Sequence, residues 1–128
     1  MRRSILLDTH FVLWLRSEPQ EMTPAERRAI ESAPVRYVSA ASFWEMAILR
    51  NLSRIPQDDR LFSLAPGCEL LPVEPRHCRE HAGLRQIHRD PFDRMLIAQA
   101  RADDLMLMTR DARILDYGPE GAICVELS

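Results

Sequence analysis

Four acidic residues lie at or near the boundaries of predicted strands and helices: Asp8, Glu45, Asp93 and Asp111. Asp8 directly follows the apolar run 4–7, and Asp111 comes soon after the apolar run 106–108. Glu45 and Asp93 lie in predicted helices. If the strands are parallel, their carboxyl ends and the first turns of the following helices meet at one rim of the sheet, where such folds hold ligands. Carboxylates gathered at this rim indicate a site for a hard divalent cation.

The hydrophobic pattern predicts the elements that must position these acids. Short apolar runs predict strands at 4–8, 35–38, 70–73, 105–108 and 123–125. Helical spacing and caps predict helices beginning near 11, over 24–32, 40–50 and 77–84, a short one over 61–65 ended by Pro66-Gly67, and one over 93–100. Strands that alternate with helices predict an α/β fold with a parallel sheet, helices on both faces and right-handed crossovers.

Two helix starts have a clear capping signature. Thr23-Pro24-Ala25-Glu26 is a capping box with proline at the first helical position, and Asp90-Pro91-Phe92-Asp93 repeats this logic. We expect Asp90 to be the cap and Asp93 to occupy the third helical position.

Length and composition limit the class of protein. A chain of 128 residues is expected to form one domain, 1–128, because it can bury roughly two-thirds of its unfolded surface. No apolar run approaches the roughly 20 residues that span a bilayer, and the first segment does not resemble a signal peptide. We therefore expect a soluble, cytoplasmic protein. Cys68, Cys78 and Cys124 form no C-x-x-C pair, so we expect them to be core thiols in a reducing compartment.

All 17 basic residues are arginine, and the formal net charge is −2. The absence of lysine excludes phosphate-loop NTPases and Schiff-base or pyridoxal enzymes, which depend on that residue. The four glycines form no glycine-rich loop, so the fingerprint of a dinucleotide-binding fold is missing as well.

Each acid also has a purely structural interpretation. Asp93 could complete a capping box, and Asp111 could cap a turn over 112–115. Glu45 could be an ordinary solvated helix residue, although its neighbours are largely apolar. Asp8 is the hardest to explain this way, because an acid directly after an apolar strand becomes buried, which is costly without a cation or hydrogen-bond donors.

Three arginines near these acids are candidates for supporting roles. Arg94 lies in the first turn of a predicted helix, where the helix dipole opposes a cation, so it should be held by a carboxylate or serve a phosphate. We expect it to orient the acids. Arg89 and Arg110 are candidate contacts to RNA, with simple solvation of the rim as the alternative.

A second possible metal site involves histidine and cysteine. His77 and His81 are four residues apart on a predicted helix, a spacing that can bind zinc, with Cys78 or His88 as a further ligand. No second ligand pair supports this alternative.

The motifs that carry these acids resemble those of a known family. They are Leu6-Leu7-Asp8-Thr9-His10, Ser39-x-x-Ser42-x-Trp44-Glu45, His88-x-Asp90-Pro91-Phe92-Asp93-Arg94 with Ile97-Ala98-Gln99-Ala100, and Thr109-x-Asp111. In order and approximate spacing the chain resembles the PIN-domain ribonucleases, and most closely the VapC-type toxins of bacterial toxin-antitoxin pairs.

The resemblance implies a PIN-like domain with a five-stranded parallel sheet in the order 3-2-1-4-5. It implies that Asp8, Glu45, Asp93 and Asp111 are metal and catalytic ligands for Mg²⁺ or Mn²⁺. Among these four, we expect Asp8 and Asp93 to coordinate the ion directly. Thr9 and Thr109 are then expected to support the ligands, and RNA is the expected substrate. A cognate antitoxin and a homodimer are the expected partners. Some of the apolar helix positions could line an antitoxin groove or dimer face: Phe11, Trp14, Trp44, Phe62 and Leu64.

Two other classes of function remain as alternatives. One is a phosphotransfer or phosphatase domain on a similar sheet, although a haloacid-dehalogenase-like phosphatase has an acid where this chain has His10, and these families use a lysine. The other is a PIN-like binding module without catalysis. A nuclease assay with Mn²⁺ and chelator distinguishes these possibilities.

Overall fold

The computed structural model describes residues 3–85, 90–111 and 114, and the backbone of 123–124. The strands are β1 (Ile5–Leu7), β2 (Arg36–Ser39), β3 (Cys68–Leu71), β4 (Met106–Thr109) and β5 (Ile123–Cys124). The α-helices are α1 (Thr9–Ser17), α2 (Pro24–Ser32), α3 (Ala40–Asn51), α4 (Pro75–Gly83) and α5 (Pro91–Ala102), and two 3₁₀ turns cover Pro19–Glu21 and Asp59–Phe62. In the described residues no helix is long and apolar enough to cross a bilayer.

The sheet is parallel, and β1 is at its centre. Its order is β3-β2-β1-β4, with the two-residue β5 paired outside β4. The predicted α/β fold and the order of the first four strands are thus confirmed. The predicted last strand included Val125, which lies outside the described residues.

The side chains of β1 alternate between two hydrophobic cores. Leu6 packs with Leu96 and Leu107 in one cluster, while Leu7 packs with Phe11 and Met46 in another. Successive residues of a strand point to opposite faces, so both faces of the sheet are covered by helices, as the uninterrupted apolar run predicts.

Most helix boundaries follow local capping chemistry. The Thr23 hydroxyl accepts a hydrogen bond from the N–H of Glu26, and the Glu26 carboxylate accepts one from the N–H of Thr23. This capping box starts α2 where the sequence predicts it. At α3 the Ser39 hydroxyl is the cap and accepts a single hydrogen bond from the N–H of Ala41.

Two predicted elements differ from the structure. The short helix expected over 61–65 is a 3₁₀ turn over Asp59–Phe62, because Asp58 caps it earlier by accepting a hydrogen bond from Arg60 N–H. The third strand ends at Leu71 and excludes Val73. Pro72 follows Leu71, and its missing N–H cannot extend the ladder.

The cysteine prediction is partly wrong. Cys78 is exposed and Cys68 is half-buried, and both are free thiols. Position 78 lies on the solvent side of α4, whereas its neighbour His77 is completely buried. The side chain of Cys124 lies outside the described residues.

An ion pair between the buried carboxylate of Glu26 and the partly exposed guanidinium of Arg110 joins α2 to the residue that follows β4. The Arg110 guanidinium donates to both Glu26 carboxylate oxygens, at 2.7 and 2.5 Å, and to the carbonyl of Glu21 at 2.9 Å. It also lies 4.4 Å from the ring centroid of Trp14. Pairing with Arg110 is the main reason that the pKa of Glu26 lies below its usual range.

We expect Arg110→Ala to lower the free energy of unfolding at neutral pH by about 1–3 kcal/mol, since it leaves a buried carboxylate without its charged partner. Because the folded pKa of Glu26 is lowered, this stabilisation is present above the ordinary pKa of glutamate and is lost as the pH falls through the lowered value. Denaturant titrations at several pH values should show the two proteins converging in acid.

Arg101→Ala is the matched control, because Arg101 faces Glu80 at 3.7 Å in a partly exposed pair. Its effect should stay within about 0.5 kcal/mol. The assigned role of the pair would be contradicted if Arg110→Ala lowered the free energy of unfolding no more than Arg101→Ala does. It would also be contradicted if the destabilisation by Arg110→Ala were as large at pH 3 as at neutral pH.

Candidate active site

The position of Asp8 follows from the register of the sheet. Leu7 pairs with Val38 on one side and with Met108 on the other, so the next residue of each strand lies at the same rim. The N–H of Asp8 continues the ladder by donating to the carbonyl of Met108 at 3.1 Å. Asp8 therefore lies beside Thr109 at the carboxyl end of the central strand, where an open α/β sheet offers its ligand site.

The Asp8 carboxylate is buried and held by donors. Its side chain is 5% exposed and caps α1 by accepting a hydrogen bond from Phe11 N–H at 3.1 Å. The Thr109 hydroxyl forms a second hydrogen bond with it. Burial nonetheless raises the pKa of Asp8, and the nearby charge of Asp93 raises it further. The predicted burial of Asp8 is thus confirmed.

Glu45 extends from α3 into the same region. Its Oε1 accepts a hydrogen bond of 2.6 Å from the Thr9 hydroxyl, whose oxygen lies 3.1 Å from Ser42 Oγ. Burial is again the main cause that raises the pKa of Glu45, and the charges of Asp90 and Asp93 add to it. Asp93 therefore acts electrostatically on both Asp8 and Glu45.

The start of α5 supplies two of these charges. Asp90 is the cap, as predicted, and accepts hydrogen bonds from the N–H groups of Phe92 at 2.8 Å and Asp93 at 3.4 Å. Its charge also reaches Glu45, so one carboxylate both caps the helix and contributes to the negative potential of the site. Asp93 is half-buried in the first turn.

Asp111 is connected to Asp8 through Thr109. The N–H of Asp111 donates to Thr109 Oγ1 at 3.0 Å, and the same hydroxyl bonds to Asp8. The structure fixes the backbone of Asp111 in this way, while a ligand role for its carboxylate stays a prediction. Most of the turn that Asp111 was expected to cap, 112–115, lies outside the described residues.

The geometry suits a cation that few protein atoms bind directly. No three histidine, cysteine or acidic side chains in the described ranges are close enough to form a complete metal-binding group. Mg²⁺ usually keeps several waters and takes one or two carboxylates directly, which an oxygen-only set of converging acids can provide. The charges of Asp8 and Asp93 interact, while a role for these two carboxylates as metal ligands stays a prediction.

Two arginines have partners that the sequence did not predict. Arg94 is buried, and its guanidinium donates to the carbonyls of Arg85, His81 and Leu84 at 2.8, 3.2 and 3.5 Å. These bonds tie α5 to the end of α4 through the main chain, and the expected role of Arg94 in orienting the acids stays a prediction. The guanidinium of Arg110, expected to contact RNA, is engaged by Glu26. Arg89 lies outside the described residues.

The zinc alternative finds no support in the described residues. His77 Nδ1 accepts a hydrogen bond from the N–H of Glu74 at 3.0 Å, and Nε2 lies 3.0 Å from the Asp103 carboxylate. Both ring nitrogens therefore help to fix the start of α4 against the end of α5. His88 lies outside the described residues.

His10 is a member of the site that the sequence reasoning missed. Its ring is exposed, and its charge lowers the pKa of both Asp8 and Glu45. The signal was its place in the motif Asp8-Thr9-His10, within the first turn of α1.

Replacing Asp8 with asparagine should stabilise the protein at neutral pH. Asparagine keeps an acceptor for the N–H of Phe11 and removes a charge that burial disfavours. Because the folded pKa of Asp8 is raised, the penalty is complete above that pKa and vanishes below the ordinary pKa of aspartate. Thermal unfolding should show a higher Tm at pH 7.5, by about 2–6 °C per kcal/mol recovered, and no gain near pH 3.

The control for this substitution is Asp58→Asn. Asp58 also caps a short helical turn, but pairing with Arg60 holds the pKa of its carboxylate below the usual range. This substitution should not raise the Tm. A lower Tm for Asp8→Asn at pH 7.5 would show that the negative charge of Asp8 does not destabilise the folded protein.

Comparisons with known proteins identify the family of this chain. A family model described as PIN domain matches residues 5–118. Ribonuclease VapC22 of Mycobacterium tuberculosis is 32% identical over 119 residues, which cover 89% of this chain and 92% of that protein.

Two solved structures share the fold at low sequence identity. A toxin-antitoxin complex from Klebsiella pneumoniae aligns with a TM-score of 0.65 and 19% identity, covering 94% of this chain and 97% of that one. VapBC2 from Rickettsia felis, bound to a DNA fragment from its promoter, aligns with a TM-score of 0.69 and 12% identity, covering 92% and 95%. The family match and the homologous ribonuclease cover most of this chain, so it belongs to the PIN-domain family as a homologue of the VapC-type ribonucleases.

Proposed function

We propose that this protein is a metal-dependent endoribonuclease that hydrolyses RNA phosphodiester bonds, with Asp8, Glu45, Asp93 and Asp111 as its acidic site. The observation that carries the proposal is the buried carboxylate of Asp8, which lies at the rim of the sheet within electrostatic reach of Asp93. Homology to a ribonuclease over most of the chain supports the same reaction. We further propose that residues 1–128 form one nuclease domain.

In this proposal Asp8 and Asp93 hold Mg²⁺ or Mn²⁺ directly, and Glu45 and Asp111 act through water. When bound, such an ion lowers the pKa of a water ligand and neutralises charge that grows on the phosphodiester. PIN nucleases generally depend on such metals, and the oxygen-only donor set is consistent with one.

The chain's own residues orient these acids. The N–H of Phe11 and the Thr109 hydroxyl fix the Asp8 carboxylate, and the Thr9 hydroxyl fixes Oε1 of Glu45. Partners that hold a ligand in place commonly change metal affinity or activity by about 10–100-fold when they are removed. Thr9 and Thr109 are therefore positioning residues, and Arg94 supports Asp93 by fixing the helix that carries it.

The nuclease proposal predicts metal-dependent cleavage that requires the acids. Purified protein should cut single-stranded RNA with Mn²⁺ or Mg²⁺ and should stop when EDTA is added. Asp8→Asn and Asp93→Asn should reduce cleavage to the level of a buffer blank while the proteins remain folded, as measured by circular dichroism and gel-resolved RNA fragments.

Asp104→Asn serves as the control, because Asp104 is exposed and pairs only loosely with Arg3, at 3.5 Å. It should cleave like the original protein. Cleavage that survives EDTA, or that survives loss of Asp93, would reject the metal-dependent mechanism. A folded protein that cleaves no RNA with either metal would favour the phosphotransfer or binding-module alternatives.

We also propose that the enzyme is the toxin of a toxin-antitoxin pair, acts on cellular RNA in the cytoplasm, forms a homodimer and is blocked by a cognate antitoxin. Support for an antitoxin comes from the structures that share this fold, one of which is itself named as a toxin-antitoxin complex. Apolar side chains exposed on the described surface, among them Phe62 and Leu64, offer contacts for a protein partner. Phe11 is buried in the core and is not available for this role.

Induced expression should test the toxin role. The original chain should arrest bacterial growth, and Asp93→Asn should not, at equal protein levels on an immunoblot. Co-expression of a small DNA-binding protein encoded beside the gene should restore growth and co-purify with the chain. Arrest by the Asp93→Asn variant would show that toxicity does not depend on cleavage.

A further inference from the structure

A tryptophan next to the acidic site is largely exposed. The Trp44 side chain is 66% exposed, although tryptophan usually finds a buried place. It contacts Phe92 edge to face, with ring centroids 5.1 Å apart and an angle of 79° between the planes. An edge-to-face contact covers at most one face of either ring, so aromatic surface remains available.

These two rings lie directly beside the proposed ligands in the chain. Trp44 precedes Glu45 on α3, and Phe92 precedes Asp93 on α5. The contact between the two rings therefore joins α3 and α5 at the positions that directly precede Glu45 and Asp93, and consecutive Cα atoms are about 3.8 Å apart. Ile48 on α3 and Leu52 just after it are also exposed, but neither lines the cavity that contains the two rings.

The rings form part of a cavity of about 380 Å³, and its lining includes Ala41, Trp44, Val73, His81, Phe92 and Met95. This volume lies within the range of small-molecule sites, which are mainly apolar and aromatic with few polar groups. Among the described lining residues, His81 supplies the polar side chain. Burial, and then the charge of Arg94, lower the pKa of His81, so its ring is neutral at pH 7. Its N–H donates to the carbonyl of Pro91, which leaves the other ring nitrogen as an acceptor.

We propose that this cavity, the Trp44 pocket, binds one unpaired nucleobase of the RNA substrate by stacking on the aromatic pair. Single-stranded RNA is recognised by stacking of splayed bases on aromatic rings and by hydrogen bonds to base edges, and His81 can make such a bond. In this proposal the backbone of the bound nucleotide runs from the pocket towards Glu45 and Asp93, which directly follow Trp44 and Phe92 in the chain. The inference rests on the proposed ribonuclease function and identifies the single-stranded substrate class of that site.

Fluorescence of Trp44 tests the pocket without any cleavage. The chain has two tryptophans, so Trp14→Phe leaves Trp44 as the sole reporter and keeps an aromatic ring beside Arg110. Short single-stranded RNA, titrated in EDTA, should quench this fluorescence to saturation. An abasic oligonucleotide of equal length and phosphate number should not quench it.

Substitutions test the same pocket through affinity. Loss of one stacked base typically weakens binding by about tenfold or more, so Trp44→Ala should raise the Kd for RNA, and the KM for cleavage, by that factor. Trp44→Phe should restore most of the affinity. Ile48→Ala is the matched control, because Ile48 is exposed on the same helix outside the pocket lining, and it should bind normally.

The outcomes separate this inference from the nuclease proposal. Metal-dependent cleavage with no quenching, and an unchanged KM for Trp44→Ala, would overturn the pocket alone. Saturable quenching by RNA in a protein that never cleaves would support the pocket and overturn the nuclease. The proposal would also be overturned if the Trp44 emission per molecule changed with protein concentration but not on addition of RNA. That result would show that a second copy of the chain covers the rings.

Discussion

The buried carboxylate of Asp8 is the constraint on which the site depends. Its position follows from the central strand, because an apolar run covered on both faces leaves the next residue at the rim with little access to water. An acid there is disfavoured unless donors or a cation compensate it. The structure supplies the donors from the first turn of α1 and from Thr109, and these bonds also fix the direction of the carboxylate. Burial at the rim thus makes the Asp8 carboxylate destabilising, and the donors that partly offset this cost also orient the carboxylate for binding.

The neighbouring acids increase this local cost. Asp93 acts on both Asp8 and Glu45, and Asp90 adds its charge while it caps α5. Asp8 and Asp90 cap helices and Glu45 accepts a hydrogen bond from Thr9, yet burial and then the mutual repulsion of the acids raise the pKa of both Asp8 and Glu45. Proteins tend to retain such unfavourable arrangements at functional sites, where stability is exchanged for activity.

Local chemistry made part of this molecule predictable from the sequence. The capping signatures of α2 and α5 gave their first residues, and the apolar run before Asp8 gave both the central strand and the burial of the acid. The roles of Arg94 and Arg110 were not predictable in this way, because their partners are carbonyls and a carboxylate contributed by distant segments. The exposure of Cys78 depends on which side of α4 packs against α5. One cysteine in the sequence does not indicate which side of the helix is buried.

The contacts of Arg94 have a consequence for sequence divergence. Its described acceptors at positions 81, 84 and 85 are main-chain carbonyls, which every amino acid possesses. Replacement of those three residues can therefore leave these bonds intact, whereas no other side chain presents the same planar fork of donors as arginine. As far as this contact is concerned, relatives of this chain can have other residues at positions 81, 84 and 85, whereas position 94 requires arginine.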